Sequence, residues 1–574
     1  MYVIGSIDKI NDNIVEVLFN IDISKVDNLV NSFVLIKDKQ KSYIGEVSGV
    51  TKDRAQITLI GQYIGSTIKY GVSSKPSFGA GVYLISKEFI PTIVGTTKGH
   101  LIMGNSPIYD TQVGMSLDSF FGQHFAIFGS TGSGKSCSFA RIIQSIYEQF
   151  APKNARFIIF DAYGEYHQAF QGLTGFKAIT TNTKSQDEML KIPLWLLDTD
   201  DIALLLNATT SNQLIFIDKA LRFVNIFAQE EENVILYKNS IIAKALLELL
   251  MSGRNPVQIR DQIISLLSKY CTADLNLDSK IEQPGYVRTL RQCLLIDQSG
   301  KLNAIELIEA YLETFVVENM KLNLPDGSFK YTLNDLLDSL DFALIDEGIW
   351  KSEDVYDSTN FLKVRLENLI KSDAKYYFDM DYVTKDQFLV NLFLLPQTNQ
   401  LAQIINFNIN YVDDRFAKVI TKIYTKLLFE YAKNLEVRAS IPFNIILEEA
   451  HRYVQNDNDV KIIGYNIFER VCKEGRKYGV LLGFISQRPS ELSETCLSQC
   501  SNFILFKLIH SRDIEYVRAS IPYITEEIIA KLKGLMPGNA IMFGRAFNFP
   551  ILNQFDMPNP APSSDNVSIT KLWL

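Results

Sequence analysis

Between positions 129 and 136 the chain reads Gly-Ser-Thr-Gly-Ser-Gly-Lys-Ser, the complete G-x-x-x-x-G-K-[ST] pattern of a phosphate-binding loop. Glycines let such a loop turn its backbone N–H groups onto phosphate oxygens, and the helix that follows adds the positive end of its dipole. Gly129, Ser130, Thr131, Gly132, Ser133 and Gly134 would form the cradle, with Cys137 next along the helix. Lys135 can reach the β- and γ-phosphates, and the Ser136 hydroxyl can ligate Mg²⁺. The expected ligands are therefore ATP and Mg²⁺. A dinucleotide fold is disfavoured, because Cys137 stands where the third glycine of G-x-G-x-x-G would be.

A second cluster is FNIILEEAHRY at 443–453, in which an apolar strand runs into two carboxylates. Beside a phosphate-binding loop, one such acid supports Mg²⁺ and the next polarises the attacking water. Glu448 is assigned to the metal side and Glu449 to the water; without the loop, the two acids would read nearly as well as the cap of a following helix. Three weaker features accompany these. Gln487 ends the apolar run GVLLGFIS and is either a γ-phosphate sensor or part of a strand-end turn. Arg476, in Val-Cys-Lys-Glu-Gly-Arg-Lys, is either a finger acting in trans on a neighbouring subunit's ATP or the basic end of a solvated helix. Asp161 and Glu165, in RFIIFDAYGEY, face the nucleotide, face a subunit boundary, or cap a turn. His451 either tunes the acid pair or is a structural histidine. None of the five histidines has metal-ligand spacing.

These residues need a scaffold of strands whose ends meet. Residues 1–100 read as short β-branched strands separated by turn signals, the pattern of a small barrel. From 101 the pattern becomes alternating strand and helix: HFAIFG and RFIIFD are buried strands, and a helix follows the glycine-rich loop. Residues 201–385 read as a helical insertion. Strands are expected again at QFLVNLFLL (387–395), QIINFNI, FNIILE, GVLLGFIS and NFILFKL. A long helix is expected after Asp413 or Asp414, with Phe416, Val419, Ile420, Ile423, Leu427 and Tyr431 on one stripe. The expected class is α/β: a RecA-like P-loop core (101–200 plus 386–556), an N-terminal β-barrel (1–100), the helical insertion and a C-terminal arm (557–574). The Pro/Ser-rich arm cannot build a core. It is read either as a strap across a neighbouring subunit or as a frayed end, with Ile569, Leu572, Trp573 and Leu574 as its apolar patch.

Composition narrows the classes. Hydrophobic residues make up 47% and charged residues 21%, which excludes a disordered or fibrous chain. The six cysteines are too few and scattered for a disulfide framework, and Cys496 and Cys500 lack partners for a zinc site. The first residues turn polar too soon for a signal peptide. No run reaches the roughly 18 apolar residues of a membrane span, so the expectation is a soluble, cytoplasmic protein without a membrane partner. The net charge of −8 excludes a protein coated in positive charge. It allows a local basic channel.

HFAIFGSTGSGKS, DAYGEY, LEEAH, EGRKYG and SQRPSEL occur in the order and context of the HerA-type ATPases of the FtsK–HerA branch, which the chain resembles over residues 1 to about 555. The resemblance implies a hexameric ring that translocates on double-stranded DNA and works with a nuclease or other effector, such as an NAD-hydrolysing enzyme, in DNA-end processing or antiviral defence. It also implies a HAS-type barrel at the N-terminus. Carried onto this sequence, Lys135 and Ser136 hold phosphate and Mg²⁺, Glu448 fits the EEAH form, Glu449 is catalytic, Gln487 the sensor and Arg476 the finger. The competing expectation is an ATP-binding scaffold that assembles and regulates a partner enzyme, with translocation secondary. A protein remodeller, stimulated by unfolded protein and not by DNA, is a third.

Overall fold

A computed structural model describes residues 2–574 except 24–25, 27–28, 40, 65–66, 95–98, 229–231, 299, 303, 318–328, 348–352, 396–397, 399, 456–458, 522–523, 525, 564–569, 571–572 and 574. The chain forms two compact units. Residues 1–188, 393–457 and 465–574 make the first, and 189–392 with 458–464 make the second.

The first unit begins with a barrel. Strands Ile14–Phe19, Tyr2–Asn11, Gly81–Leu84, Phe33–Asp38, Lys41–Val50 and Arg54–Ile64 are neighbours in that order, and the last pairs back onto the first. Alternate residues point inward, so Ile4, Val15, Val17, Val34, Ile36, Val47, Ile57 and Val82 fill the interior. The barrel's opening strand is Tyr2–Asn11. Phe33 faces outward instead and stacks on Tyr109 at 4.4 Å, while Tyr109 donates to the Asn31 carbonyl at 2.7 Å. The barrel is thereby welded to the sheet that follows.

That sheet carries the chemistry. Its order is Phe176–Thr180, Ile404–Asn408, Phe157–Asp161, Phe443–Glu448, Val480–Ser486, Phe125–Phe128, Asn502–Leu505, Asn539–Gly544, Ile551–Phe555, Leu101–Ser106 and Thr111–Met115. The first seven pair in parallel and the rest antiparallel. Strands such as Phe157–Asp161 and Phe443–Glu448 are buried throughout, as continuous apolar runs covered on both faces should be. The helix Asp414–Asn434 packs its predicted stripe inward; Val419, Ile420, Ile423 and Leu427 are buried. Its cap is Asp413, whose Oδ1 accepts the Phe416 N–H at 2.7 Å.

One expectation fails. QFLVNLFLL is not a strand; Lys385–Phe393 is a helix. A short apolar run fits either period. Here Thr384 and Gln387 decide, because each side chain meets the other's backbone N–H, at 3.3 and 3.0 Å, in a capping box.

The second unit is mostly helical, with Ser211–Phe227, Glu232–Leu250, Pro256–Tyr270 and Leu333–Glu347 among its helices, and it carries the hairpin Lys280–Gln283 with Tyr286–Thr289. It has its own apolar core, including Ile217, Phe223, Leu246, Ile263, Leu336 and Leu340. Inside it Asp341, 4% exposed, is neutralised by Lys269 and, at 2.6 Å, by Lys363. No helix among the described residues is long and apolar enough to cross a membrane.

At the base of the sheet, buried His124 accepts the Leu482 N–H on Nδ1 at 2.9 Å. Burial above all holds its pKa down to about 4. The unfolded chain takes up this proton near pH 6.5 and the folded chain does not. Stability present above pH 6.5 should therefore be lost between about pH 6.5 and 4, by about 3 kcal/mol. His124→Asn, which keeps an acceptor but cannot titrate, should flatten that part of the acid dependence of the thermal midpoint. An unchanged acid slope in the variant would refute this account.

Candidate active site

The parallel strands end side by side. Register places Phe128 beside Ser486, and Ile485 beside Glu448. Asp161 ends the next strand over. Residues far apart in the chain thus converge at one edge, and the loop at 129–134 leaves the sheet there.

That loop is tied down by backbone bonds. Ser130 N–H donates to the Lys507 carbonyl at 2.8 Å, and Gly538 N–H donates to the Ser133 carbonyl at 2.9 Å. Gly134 adopts φ +104°, and a Cβ there would lie 2.9 Å from Gly538 N, so glycine is required on both counts. The helix Lys135–Phe150 begins immediately, with no side chain capping its first N–H groups. Those groups stay open to an anion.

Lys135 is 8% exposed and folds onto its own loop, donating to the carbonyls of Gly129 at 2.8 Å and Ser130 at 3.2 Å. Burial lowers its pKa, and Glu449, Glu448 and Glu165 push it back up. The Ser136 hydroxyl donates to Glu448 Oε1 at 3.4 Å, while Ala162 N–H donates to Oε2 at 3.2 Å. Glu448 is almost fully buried, and burial, followed by Asp161 and Glu165, raises its pKa well above the usual carboxylate range. Burial and the neighbouring acids disfavour the ionised form here, and a hard cation beside the carboxylate and the hydroxyl oxygen would restore it. These oxygens fit Mg²⁺, which takes one or two carboxylate contacts and completes its shell with substrate phosphates and water. Among the described residues no group of three or more His, Cys, Asp or Glu forms a metal cage of its own.

Glu449 is a non-glycine residue in the left-handed region, at φ +49° and ψ +45°, and it is 7% exposed. Burial raises its pKa; Lys135, Arg452 and Arg488 oppose that. Gln487 reaches the loop directly, since the Thr131 hydroxyl donates to its Oε1. Lys135, Ser136, Glu448, Glu449 and Gln487 are therefore brought to one place, and Cys137 sits half-buried one residue further along the helix.

Arg476 is not brought there. It lies exposed, before the strand Val480–Ser486 begins, while Gln487 follows that strand's other end. At about 3.3 Å per residue, the strand sets them roughly 20 Å apart within one chain.

Of the two acids left open by sequence, Asp161 is the turn cap. It accepts the N–H groups of Glu165 at 3.0 Å and Tyr166 at 2.9 Å, and the Asn406 amide at 3.2 Å. Glu165 lies near Ser136 and Lys135, which lower a carboxyl pKa that burial above all raises. The sequence signal for it was the pair of Asp161 and Gly164, which bend the chain straight after a buried strand. The C-terminal arm is tied to its own core at residues 559–563. Asn559 N–H donates to Gln144 Oε1 at 2.9 Å, and Ser563 N–H to the Glu165 carbonyl at 2.9 Å. Trp573 is exposed, and Ile569, Leu572 and Leu574 lie outside the described residues.

Residues 98–428 match the family described as the central domain of helicase HerA. The DNA double-strand break repair helicase HerA of Pyrococcus furiosus is 23% identical over 540 residues, spanning 92% of this chain and 82% of that protein. The one of the same description from Sulfurisphaera tokodaii is 26% identical over 262 residues, 45% of this chain and 50% of that protein. Among solved structures, VirB4 of Thermoanaerobacter pseudethanolicus aligns with a TM-score of 0.42 and 12% identity, covering 80% of this chain and 97% of that one.

Proposed function

The chain belongs to the HerA helicase family, and from that premise we propose that it is an ATP-driven translocase of double-stranded DNA, working as a ring of six copies with a protein effector such as a nuclease. The enzyme is an ATPase. The observation that carries the reading is the meeting of Lys135, Ser136, Glu448, Glu449 and Gln487 at neighbouring strand ends. In hydrolysis Glu449 accepts a proton from the attacking water as the water oxygen bonds to the γ-phosphorus. The β–γ bridging oxygen leaves with ADP. Lys135 and the open helix N-terminus hold the phosphates, and Gln487 lies at the γ-phosphate end of the loop. Mg²⁺, held through Ser136 and Glu448, would offset charge on the phosphate oxygens.

The placement of Arg476 supports a ring. A cation at the sheet's far end cannot serve its own ATP, and it suits a neighbour's. In the ring, Arg476 contributes the finger in trans. The charge of −8 per copy multiplies sixfold in such an assembly, so its exterior repels DNA. Contact with a duplex is then confined to a few cations in an enclosed channel. The role is processing of DNA ends or defence against foreign DNA, set by the effector.

The test is the ATPase rate with and without duplex DNA at low salt, beside solution mass with and without ATP. Stimulation by duplex, falling steeply as salt rises, is the expected result. An ATPase indifferent to DNA, with no DNA binding at low salt, would overturn translocation.

A further inference from the structure

The acid pair is followed by a histidine that the hydrolysis scheme does not use. His451 is 9% exposed, and its Nδ1 lies 3.1 Å from Ser486 Oγ and 3.2 Å from Glu449 Oε2. The left-handed backbone at Glu449 makes this possible. It bends the chain into the short turn Ala450–Arg452, which folds the imidazole back beside the carboxylate two residues earlier. Ser486 Oγ, fully buried, also accepts the Arg488 N–H at 3.0 Å. Ser486 ends the strand from which Gln487 reaches Thr131 of the phosphate loop. Among the described residues, Glu449 Oε2 is buried without an aligned hydrogen-bond donor.

We infer that His451 is a positioning residue: Nδ1–H faces Glu449 Oε2 and Ser486 Oγ together, and so locks the hydrolytic carboxylate to the strand end that carries Gln487. The choice of tautomer follows from the acceptors. A carboxylate offers only lone pairs, and a bare Nδ1 lone pair at 3.2 Å would repel it. At this spot Nδ1–H stands between a carboxylate, which can only accept, and the Ser486 hydroxyl, which can accept from it. A small rotation of the Glu449 carboxylate aligns its bond with Nδ1–H, and the acid is then fixed relative to Gln487. Acid and Gln487 must act on the same water and γ-phosphate, and a misplacement of about 1 Å in such a pair costs on the order of 10²-fold in rate.

The inference rests on the ATPase reading above, and the test separates the two. Full-length wild type, His451→Ala, His451→Asn and Ser486→Ala are compared for kcat and KM of ATP with duplex present. His451→Ala should lower kcat about 10- to 100-fold, with KM within about twofold. His451→Asn, whose amide N–H lies near the place of Nδ1–H, should restore most of the loss, and Ser486→Ala should show a smaller loss of the same kind. In a Glu449→Gln background His451→Ala should cost nothing further, because the two act as a unit. A kcat for His451→Ala within twofold of wild type overturns the inference. So does a loss that persists undiminished in the Glu449→Gln background, or one in which KM and the thermal midpoint collapse together. A wild type with no ATPase activity, with or without DNA, overturns the function reading instead. The inference is then read without turnover, from nitrogen NMR of histidine-labelled protein. The His451 Nδ1 resonance, identified by its loss in His451→Ala, should be that of a protonated nitrogen and should move in Glu449→Gln; an unprotonated or unmoved resonance overturns it.

Discussion

Glu449→Gln is expected to lower ATP turnover by about 10²- to 10⁴-fold while ATP stays bound. Glutamine has the volume and shape of glutamate, so the buried turn from Glu449 to Arg452 should survive the change. What disappears is the acceptor for the proton of the attacking water. Lys135, Ser136 and the loop backbone are untouched, so the nucleotide still binds. The measurement is phosphate release at saturating ATP, paired with retention of labelled ATP by the isolated protein. Near-normal release by the variant would remove Glu449 from the hydrolytic role and return the acid pair to the plainer task of shaping the turn.

Lys135→Ala should instead weaken ATP itself, by two to three orders of magnitude or more, because a buried cation and its charged partner are typically coupled by about 2–5 kcal/mol. At rest the ammonium satisfies two loop carbonyls, at Gly129 and Ser130. Phosphate oxygens compete for the same donors when nucleotide binds. The alanine variant loses that charge and leaves the cluster of Glu448, Glu449 and Glu165 uncompensated, which further disfavours an anionic ligand. Lys135→Arg is not a rescue, since a planar guanidinium does not fit a slot shaped for a point charge. Equilibrium binding of a fluorescent ATP analogue reads the effect, and the thermal midpoint checks that the loop still folds. Wild-type affinity in the alanine variant would refute the assignment.

The two substitutions separate the halves of the site. One should leave a protein loaded with ATP that cannot turn over, and the other a protein that scarcely loads. Wild-type controls run with duplex DNA connect both to the motor reading, because only a coupled ATPase changes rate when its track is supplied.

Much of this was legible in the chain because the physics is local. The phosphate loop is eight consecutive residues, and its need for glycine at position 134 arises within that stretch and one neighbouring backbone. The acid pair, Glu448 and Glu449, follows from an apolar strand that runs straight into two carboxylates. The strand-and-helix alternation, the small barrel and the helical unit follow from apolar periodicity. The helix at Lys385–Phe393 was misread for an equally local reason. Its apolar run fits either period, and the signal that decides it pairs Thr384, just upstream, with Gln387, the run's first residue.

Other features were set only by tertiary structure. Ser136 and Glu448 are 312 positions apart in the chain, and Thr131 and Gln487 are 356 apart. No spacing rule spans such distances; the order of parallel strands brings them together. That order divides Asp161, which caps its own turn, from Glu165, which lies near Ser136 and Lys135. It also sets Arg476 at the opposite end of the sheet and folds His451 between Glu449 and Ser486. The sequence by itself determined which chemistry the chain can perform, because residue types and short spacings dictate phosphate and proton chemistry. Which side chains share that chemistry was decided by the sheet, because neighbourhood across strands depends on pairing and register, which a linear pattern does not encode.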